Sequence, residues 1–216
     1  SSRQNGSWTK ARLLPGEVNT AKRHEATNSL SKDGKKLYLY RGVRTGTIYV
    51  SEQNKNSWSK PKKLAGTSLN TKHWETSLAF TISNDSIMYV VSDRPGGYGG
   101  RDIYQCKKQK DWGWGSLENL GPLINSAFEE DGPYLSDDGN TLYFSSNSTA
   151  SIGGFDIFTS TRVDGKWKKP RNLGLPFNST ANDVYFHFAN KEKLALISSA
   201  RLHNGFSDMQ IWSIQQ

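Results

Sequence analysis

The sequence has few features that would cross-link the fold or hold it in a membrane. It contains one cysteine among 216 residues, so no internal disulfide can form and the fold depends on packing alone. No apolar run is long enough to cross a bilayer, and no signal peptide begins the sequence as given, which leaves export open. Only 34% of the residues are hydrophobic, but 12% are aromatic. Because aromatic side chains cover large areas, we expect them to supply much of the core of a single domain.

Helical periodicity is also absent, and a repeat takes its place. Each of four copies contains a Trp, a basic segment ending in Leu, an Asn, an acid, a turn and short aromatic strands. The last strand of each copy recurs at steps of 55, 54 and 54 residues. A repeat of this length with four strand-like runs predicts blades around an axis. The repeated tryptophans and asparagines are Trp8, Trp58, Trp114, Trp167, Asn19, Asn70, Asn125 and Asn178.

We therefore predict an all-β fold, a four-bladed β-propeller with four antiparallel strands per blade, as one domain over residues 1–216. An antiparallel sheet has an unpaired edge unless another strand covers it. The N-terminal strand, residues 7–14 with Trp8, is accordingly expected to complete the last blade and close the ring. The predicted blades cover about residues 25–64, 75–119, 130–173, and 183–216 plus 7–14.

One face of this propeller is the predicted binding surface. Antiparallel alternation places the loop that carries the Asn and the acid beside the variable loop between the second and third strands. Each blade contributes one acid at the start of its innermost strand, and these acids are expected to ring the axis: Glu25, Glu75, Glu130 and Asp183. The other candidate binding residues on this face are Arg41, Arg44, Arg94, Tyr98, Arg101 and Arg201.

Two interpretations of the acidic ring stay open. Carboxylates brought together raise one another's pKa unless a cation, an arginine or backbone NH groups compensate. The ring could bind a cation or a basic peptide at the channel mouth. Alternatively, each acid could hydrogen-bond loop NH groups or an arginine of the neighbouring blade, and this structural interpretation is favoured.

The remaining chemistry-bearing residues favour structural roles. Asp102 and Asp156 are expected to brace loops through bonds to backbone groups, and Cys106 to be a small packing residue. The four histidines match no zinc-ligand spacing, and no Gly-x-Ser-x-Gly elbow is present. We therefore predict no catalytic residue, no metal site and no cofactor, with a cation in the central channel left open.

Net charge is the last general feature. The formal charge is +8, and many lysines lie on the predicted outer strands. Lysines there discourage edge-to-edge aggregation, and they would also attract anionic surfaces such as a cell envelope. A nucleic-acid partner is not expected, because the aromatic residues are needed for packing between blades.

Specific residues in blades 2 and 3 carry a family resemblance. The segments are Ser92–Tyr104, Trp114–Ser126, Ser136–Ser146 and Gly153–Phe158. They resemble the TolB-like, WD-repeat-like propeller repeat, in the version found in PorE-like Bacteroidetes envelope proteins of the type IX secretion system, which join TPR repeats, a propeller and an OmpA-type domain. Blades 1 and 4 depart from the repeat, since Thr47 and Gln210 replace its Asp.

The resemblance implies a function. It implies a non-catalytic protein-interaction or scaffold module in the periplasm or at the outer membrane, linked to secretion or to outer-membrane and peptidoglycan assembly. The partner would be a protein or peptide of the cell envelope, with flanking TPR and OmpA-type domains in the full protein. The alternative is a glycan-binding or glycosidase-like propeller that uses axial carboxylates, because paired acids can act on sugars.

Overall fold

The described part of the chain is entirely β-structure. The computed structural model describes residues 3–4, 7–20, 23–42, 46–81, 86–110, 113–189, 193–202 and 208–215. Within these ranges no helix is present, and hence none that could span a membrane. Four antiparallel sheets are arranged as the blades of a four-bladed propeller. The predicted fold class is confirmed.

The strands follow the chain from blade to blade, and within each blade from the axis outward. A short N-terminal pair comes first, β1 (Arg3–Gln4) and β2 (Ser7–Trp8). Blade 1 contains β3 (His24–Leu30), β4 (Lys36–Gly42), β5 (Gly46–Asn54), β6 (Ser57–Trp58) and β7 (Lys62–Lys63). Blade 2 contains β8 (Glu75–Phe80), β9 (Ile87–Ser92), β10 (Asp102–Lys107) and β11 (Glu118–Asn119). Blade 3 contains β12 (Glu130–Leu135), β13 (Thr141–Ser146), β14 (Asp156–Val163), β15 (Lys166–Trp167) and β16 (Arg171–Asn172). Blade 4 contains β17 (Asp183–Ala189), β18 (Leu194–Ser199) and β19 (Gln210–Gln215).

The core lies between successive blades. Alternate residues of each middle strand face opposite sides, so one sheet contributes to two interfaces. In blade 2, Met88 and Val90 pack towards blade 1, whereas Tyr89 and Val91 pack towards blade 3. Burying each such side chain contributes about 1.5–3 kcal/mol. This two-sided burial explains why β9 is an almost continuous apolar run.

Tight turns join the first two strands of blades 1 and 3 as predicted. Ser31 Oγ donates to Asp33 Oδ1 and Ser136 Oγ donates to Asp138 Oδ1, both at 2.6 Å. Gly34 and Gly139 each have φ of 70°, a conformation that glycine adopts without steric cost. The equivalent turns of blades 2 and 4, residues 83–86 and 190–193, lie mostly outside the described residues.

A bulge interrupts the innermost strand of each blade. In β12 the register shifts between Asp131 and Tyr134, and in β17 between Val184 and His187. Gly132 and Tyr185 both have φ of 57° at these points. Bulges redirect side chains. These two bulges lie where the inner strands of blades 3 and 4 meet the axial cavity.

The predicted closure of the ring is wrong. Trp8 pairs with Arg3 in the β1–β2 hairpin, and among the described residues the sheet of blade 4 ends at β19 with three strands. The same hairpin occurs within blades 1 and 3, where Trp58 pairs with Gln53 and Trp167 with Arg162. Trp8 therefore has the partner that its own hairpin supplies. Accordingly, the strands of blades 1 and 4 do not pack as successive blades do in the part of the chain described.

Candidate binding site at the axial opening

The four repeated acids are held within their own repeats. Glu75 is buried and accepts hydrogen bonds from Thr71 Oγ1 at 2.8 Å and Arg94 Nη2 at 3.1 Å. Asp183 is also buried and accepts from Ser179 Oγ and Arg201 Nη2, both at 2.7 Å. These bonds tie the start of the inner strand to the loop that precedes it.

Blade 1 repeats this arrangement at a more exposed site. Glu25 lies 2.7 Å from Arg41 Nε and accepts from the amide of Thr20 at 2.7 Å. Arg41 also donates to the carbonyls of Glu17 and Val18, each at 2.9 Å. The arginine therefore comes from the same blade as its acid, not from the neighbouring blade as one interpretation expected. Arg44 lies outside the described residues.

Glu130 differs because its described partners include no arginine. Its carboxylate accepts from Ser126 Oγ at 2.6 Å, the Ser126 amide at 3.0 Å and Ser146 Oγ at 3.0 Å. Burial raises the pKa of Glu130, and the nearby Asp102 adds to that rise while the serine bonds oppose it. Burial also raises the pKa of Glu75, against the opposing effects of Thr71 and Arg94. Their bonds give both carboxylates a structural use.

A different acid, Asp131, connects neighbouring blades. It is buried and accepts from Ser77 Oγ at 2.5 Å and Thr76 Oγ1 at 3.1 Å, both in blade 2. Arg101 Nη1 also donates to it at 2.6 Å. The sequence prediction did not include Asp131, although blade 3 alone follows its repeated acid with a second acid. The adjacent acids Glu130 and Asp131 were therefore the sequence signal that could have identified this residue.

Arg101 lies at the centre of an aromatic cluster. Its guanidinium carbon is 5.8 Å from the ring centroid of Trp74 and 5.7 Å from that of Phe155. Arg101 also donates to Glu129 at 2.5 Å. Burial opposes its charge, but Asp131 and Glu129 outweigh burial and raise the pKa of Arg101. The site thus keeps a fixed cation between aromatic faces, an arrangement stabilised by cation–π attraction.

Two exposed rings complete this cluster, which we call the axial mouth: Trp74, Arg101, Asp131 and Tyr185. Trp74 is 39% exposed and Tyr185 is 50% exposed. The negative charge of Asp131, together with burial, raises the pKa of the Tyr185 hydroxyl to about 12. Trp74 Nε1 donates to the hydroxyl of Tyr40 at 3.2 Å. The Trp74 ring is therefore oriented by a polar group, and part of the surface of both rings faces solvent.

A cavity of about 690 Å³ adjoins the axial mouth. Its walls include Ser77, Gly132, Tyr134, Tyr185 and His187 from the inner strands of blades 2, 3 and 4, and further residues from β3. Burial lowers the pKa of His187, which favours the neutral imidazole. The cavity is large enough to hold several side chains of a bound partner.

The remaining predicted residues lie around this site without joining it. Tyr98 is half exposed, and its amide donates to Asp102 Oδ2 at 2.6 Å. Asp102 also accepts from Asn119 at 2.8 Å, and Asp156 accepts from the Ile152 amide and from Asn172, each at 2.6 Å. These bonds confirm that both aspartates brace loops.

The described residues give little support for a metal-binding site or a reactive thiol. Among the residues with described coordinates, no group of three His, Cys, Asp or Glu side chains could hold a metal ion. Cys106 is buried, and burial raises the pKa of its thiol to about 12. The cation considered for the central channel stays a prediction.

Comparison with known proteins supports the fold. No protein-family model matches the sequence, and no match to a curated protein was found. Among solved structures, a protein assigned to TolB from Agrobacterium tumefaciens is similar with a TM-score of 0.56 and 16% identity, over 92% of this chain and 60% of that protein. A prolyl endopeptidase structure is similar with a TM-score of 0.50 and 14% identity, over 90% of this chain and 25% of that protein.

These likenesses define a class of protein by fold. The chain has a β-propeller fold, with four blades in the described structure, and this fold is similar to that of the TolB structure. It spans 60% of the length of the TolB structure. At this level of identity the resemblance shows the fold alone, so function has to be argued from the site.

Proposed function

We propose that this propeller is a non-catalytic interaction module that binds a protein or peptide at the axial mouth. The observation that carries the proposal is the Arg101–Asp131 pair, which lies near the partly exposed rings of Trp74 and Tyr185 and beside the cavity. Tryptophan, tyrosine and arginine are the residues most enriched at the energetic centres of protein interfaces.

The geometry suits a chain with both apolar and polar groups. The exposed rings offer flat apolar surface, and the cavity beside them can accept side chains. Arg101 pairs with both Asp131 and Glu129, which leaves one carboxylate charge in excess, so this part of the site suits a neutral or basic group of the partner. Asp131 and Tyr185 lie on the inner strands β12 and β17, whereas Trp74 and Arg101 directly precede β8 and β10. Anchoring at strands lowers the entropy lost on binding.

The repeated acids support a non-catalytic role. Glycosidases place two carboxylates on either side of a bound sugar. Here Glu75, Glu130 and Asp183 are buried and accept hydrogen bonds from their own loops. These bonds hold the loops and give the three carboxylates a structural role.

The setting we propose is the bacterial cell envelope. The TolB-like fold and the envelope-type repeat in blades 2 and 3 support a periplasmic or outer-membrane-associated module. Secretion or outer-membrane and peptidoglycan assembly would be its process, with TPR and OmpA-type domains beside it in the full protein. The net charge of +8 suits an anionic envelope surface.

The proposal can be tested by selecting peptides from a display library against the wild-type protein. Trp74→Ala and Tyr185→Asn each remove one ring, and asparagine suits the positive φ at position 185. We expect each to weaken binding of the selected peptides by about tenfold or more, as loss of an aromatic anchor does. Val163→Ala, at a distant exposed position, is the matched control. Retained binding by both ring variants, with circular dichroism unchanged, would refute the site.

Glycan binding is a second candidate, and the exposed rings of Trp74 and Tyr185 favour it because aromatic faces also pack on apolar sugar faces. A glycan array and a polysaccharide hydrolysis screen separate the two candidates. Saturable glycan binding that Trp74→Ala abolishes would favour this second function. Silence on both would remove it.

A further inference from the structure

Two exposed aromatic side chains lie next to the axial mouth, where a loop of blade 2 meets a loop of blade 3. Tyr98, between β9 and β10, is 50% exposed, and Phe128, just before β12, is 40% exposed. The amide of Gly100 donates to the Phe128 carbonyl at 2.8 Å, so the two loops are in direct contact. A Cβ atom at Gly99 would lie 1.8 Å from the same carbonyl oxygen, so this contact requires glycine. We call Tyr98 and Phe128 the outer pair.

The loops that carry the outer pair are held by their backbone groups. The amides of Tyr98 and Gly99 donate to the carboxylate of Asp102 at 2.6 and 3.1 Å. The amide of Phe128 donates to Ser126 Oγ at 3.1 Å. None of these bonds uses either ring. The loops therefore present two aromatic side chains to solvent from a fixed backbone, which lowers the entropy lost on binding.

The junction between blades 3 and 4 shows that the fold does not need the two rings. The amide of Gly154 donates to the Ala181 carbonyl at 3.1 Å, as Gly100 does to Phe128. The amide of Ile152 donates to Asp156 Oδ2 at 2.6 Å, as Tyr98 does to Asp102. The same loop contact thus forms with isoleucine and alanine at the two positions. Exposed aromatic residues that the fold does not require indicate a binding surface.

The outer pair is continuous with the axial mouth. Glu129, the residue after Phe128, pairs with Arg101, and the guanidinium carbon of Arg101 is 5.8 Å from the ring centroid of Trp74. The side chain of Glu129 is 40% exposed, so its carboxylate can also meet a basic group of a partner. Extended backbone advances about 3.3 Å per residue, so about six residues cover roughly 20 Å. A short extended segment is therefore long enough to contact Trp74, Glu129 and the outer pair together.

We propose that the partner binds as an extended segment that runs from the axial mouth across Glu129 to the outer pair. The segment places a basic side chain at Glu129 and an apolar side chain on Phe128 and Tyr98. This inference rests on the proposed function and adds to it the chemistry and the direction of the bound segment. Aromatic side chains in such a position supply much of the binding energy of an interface.

Binding of library-selected peptides of about twelve residues tests the outer pair. We expect Tyr98→Ala and Phe128→Ala each to raise the dissociation constant about fivefold or more, as loss of an aromatic contact does. Ile152→Ala is the matched control, because Ile152 is 51% exposed and equivalent to Tyr98 one blade further on. It should change the constant by less than about twofold. All three side chains are exposed, so circular dichroism should show an unchanged fold.

Shortened peptides separate this inference from the proposed function. A peptide cut back at the end that reaches the outer pair should lose its sensitivity to Phe128→Ala and keep its sensitivity to Trp74→Ala. Unchanged binding by both outer-pair variants, with weaker binding by Trp74→Ala, would overturn the inference and leave the proposed function standing. Weaker binding by Phe128→Ala alone would refute the axial mouth and the continuous path together. Self-association of the wild type that Phe128→Ala abolishes would assign the outer pair to a second copy and overturn the proposal.

Discussion

Asn70, Asn125 and Asn178 each clamp a third strand, because the side chain accepts from the amide of a buried isoleucine and donates back to its carbonyl. This asparagine clamp should contribute strongly to stability. Asn125→Ala removes three hydrogen bonds of 2.8–2.9 Å in a buried site. It also leaves the amide of Ile103 buried without its partner, whereas the Ile103 carbonyl keeps its bond from Leu120 at 3.1 Å. At about 1 kcal/mol for each of the two bonds that Nδ2 donates, and about 1–3 kcal/mol for the Ile103 amide left unsatisfied, the expected loss is about 3–5 kcal/mol. That is a large part of a typical stability of about 5–15 kcal/mol.

Asn19→Ala is the internal control for this prediction. Asn19 makes one exposed bond to Leu14, so its loss should cost less than about 1 kcal/mol. Both substitutions are compared by urea unfolding of the otherwise unchanged protein. At constant slope, the shift in midpoint gives the change in the free energy of unfolding. Equal losses at the two positions, or a loss below about 1 kcal/mol for Asn125→Ala, would refute the clamp.

Three further predictions concern buried ionisable groups. Burial raises the pKa of the Glu130 carboxyl above 4.5, so the folded state keeps this proton at pH values where the unfolded chain has lost it. The stabilisation that results is complete below about pH 4.5 and is lost as the pH rises through the pKa of the folded state. Glu130→Gln should therefore flatten that part of the curve of unfolding free energy against pH, and an unchanged slope would contradict this. Cys106, with its pKa raised to about 12, should react with a thiol reagent roughly a thousandfold more slowly in the native protein than in urea, and comparable rates would show that it is accessible. Asp131→Asn removes a charged partner of Arg101 and should lower the free energy of unfolding by about 1.5–3 kcal/mol in urea titrations, whereas exposed Asp164→Asn should not; equal effects would indicate that the bond between blades contributes nothing.

Local pattern was sufficient to predict the blades. The aromatic runs that became β4, β9 and β13 alternate with turns, and their two-sided burial follows from packing between neighbouring sheets. The turns at Asp33 and Asp138 form through bonds to residues two positions away, so they could be predicted from sequence. Interactions of short range in the sequence were the predictable part of this fold.

Interactions that depend on which blade lies beside which could not be predicted in the same way. Asp131 bonds Ser77, which is 54 residues earlier, and that pairing exists only once blades 2 and 3 are docked. Closure failed for a related reason, because the pattern of Trp8 predicts an outer strand without specifying its partner. The asparagines were recognised as repeat marks, but their bonds to isoleucines about 22 residues earlier follow from strand register.

The most direct test of the account compares the axial mouth with a repeated acid in one binding measurement. Isothermal titration of a library-selected peptide would be carried out with the wild-type protein, Trp74→Ala and Glu130→Gln. We predict that Trp74→Ala weakens binding by about tenfold or more, whereas Glu130→Gln leaves the dissociation constant unchanged within about twofold. Unchanged binding by Trp74→Ala together with lost binding by folded Glu130→Gln would contradict the account, because the repeated acid would then be the ligand site.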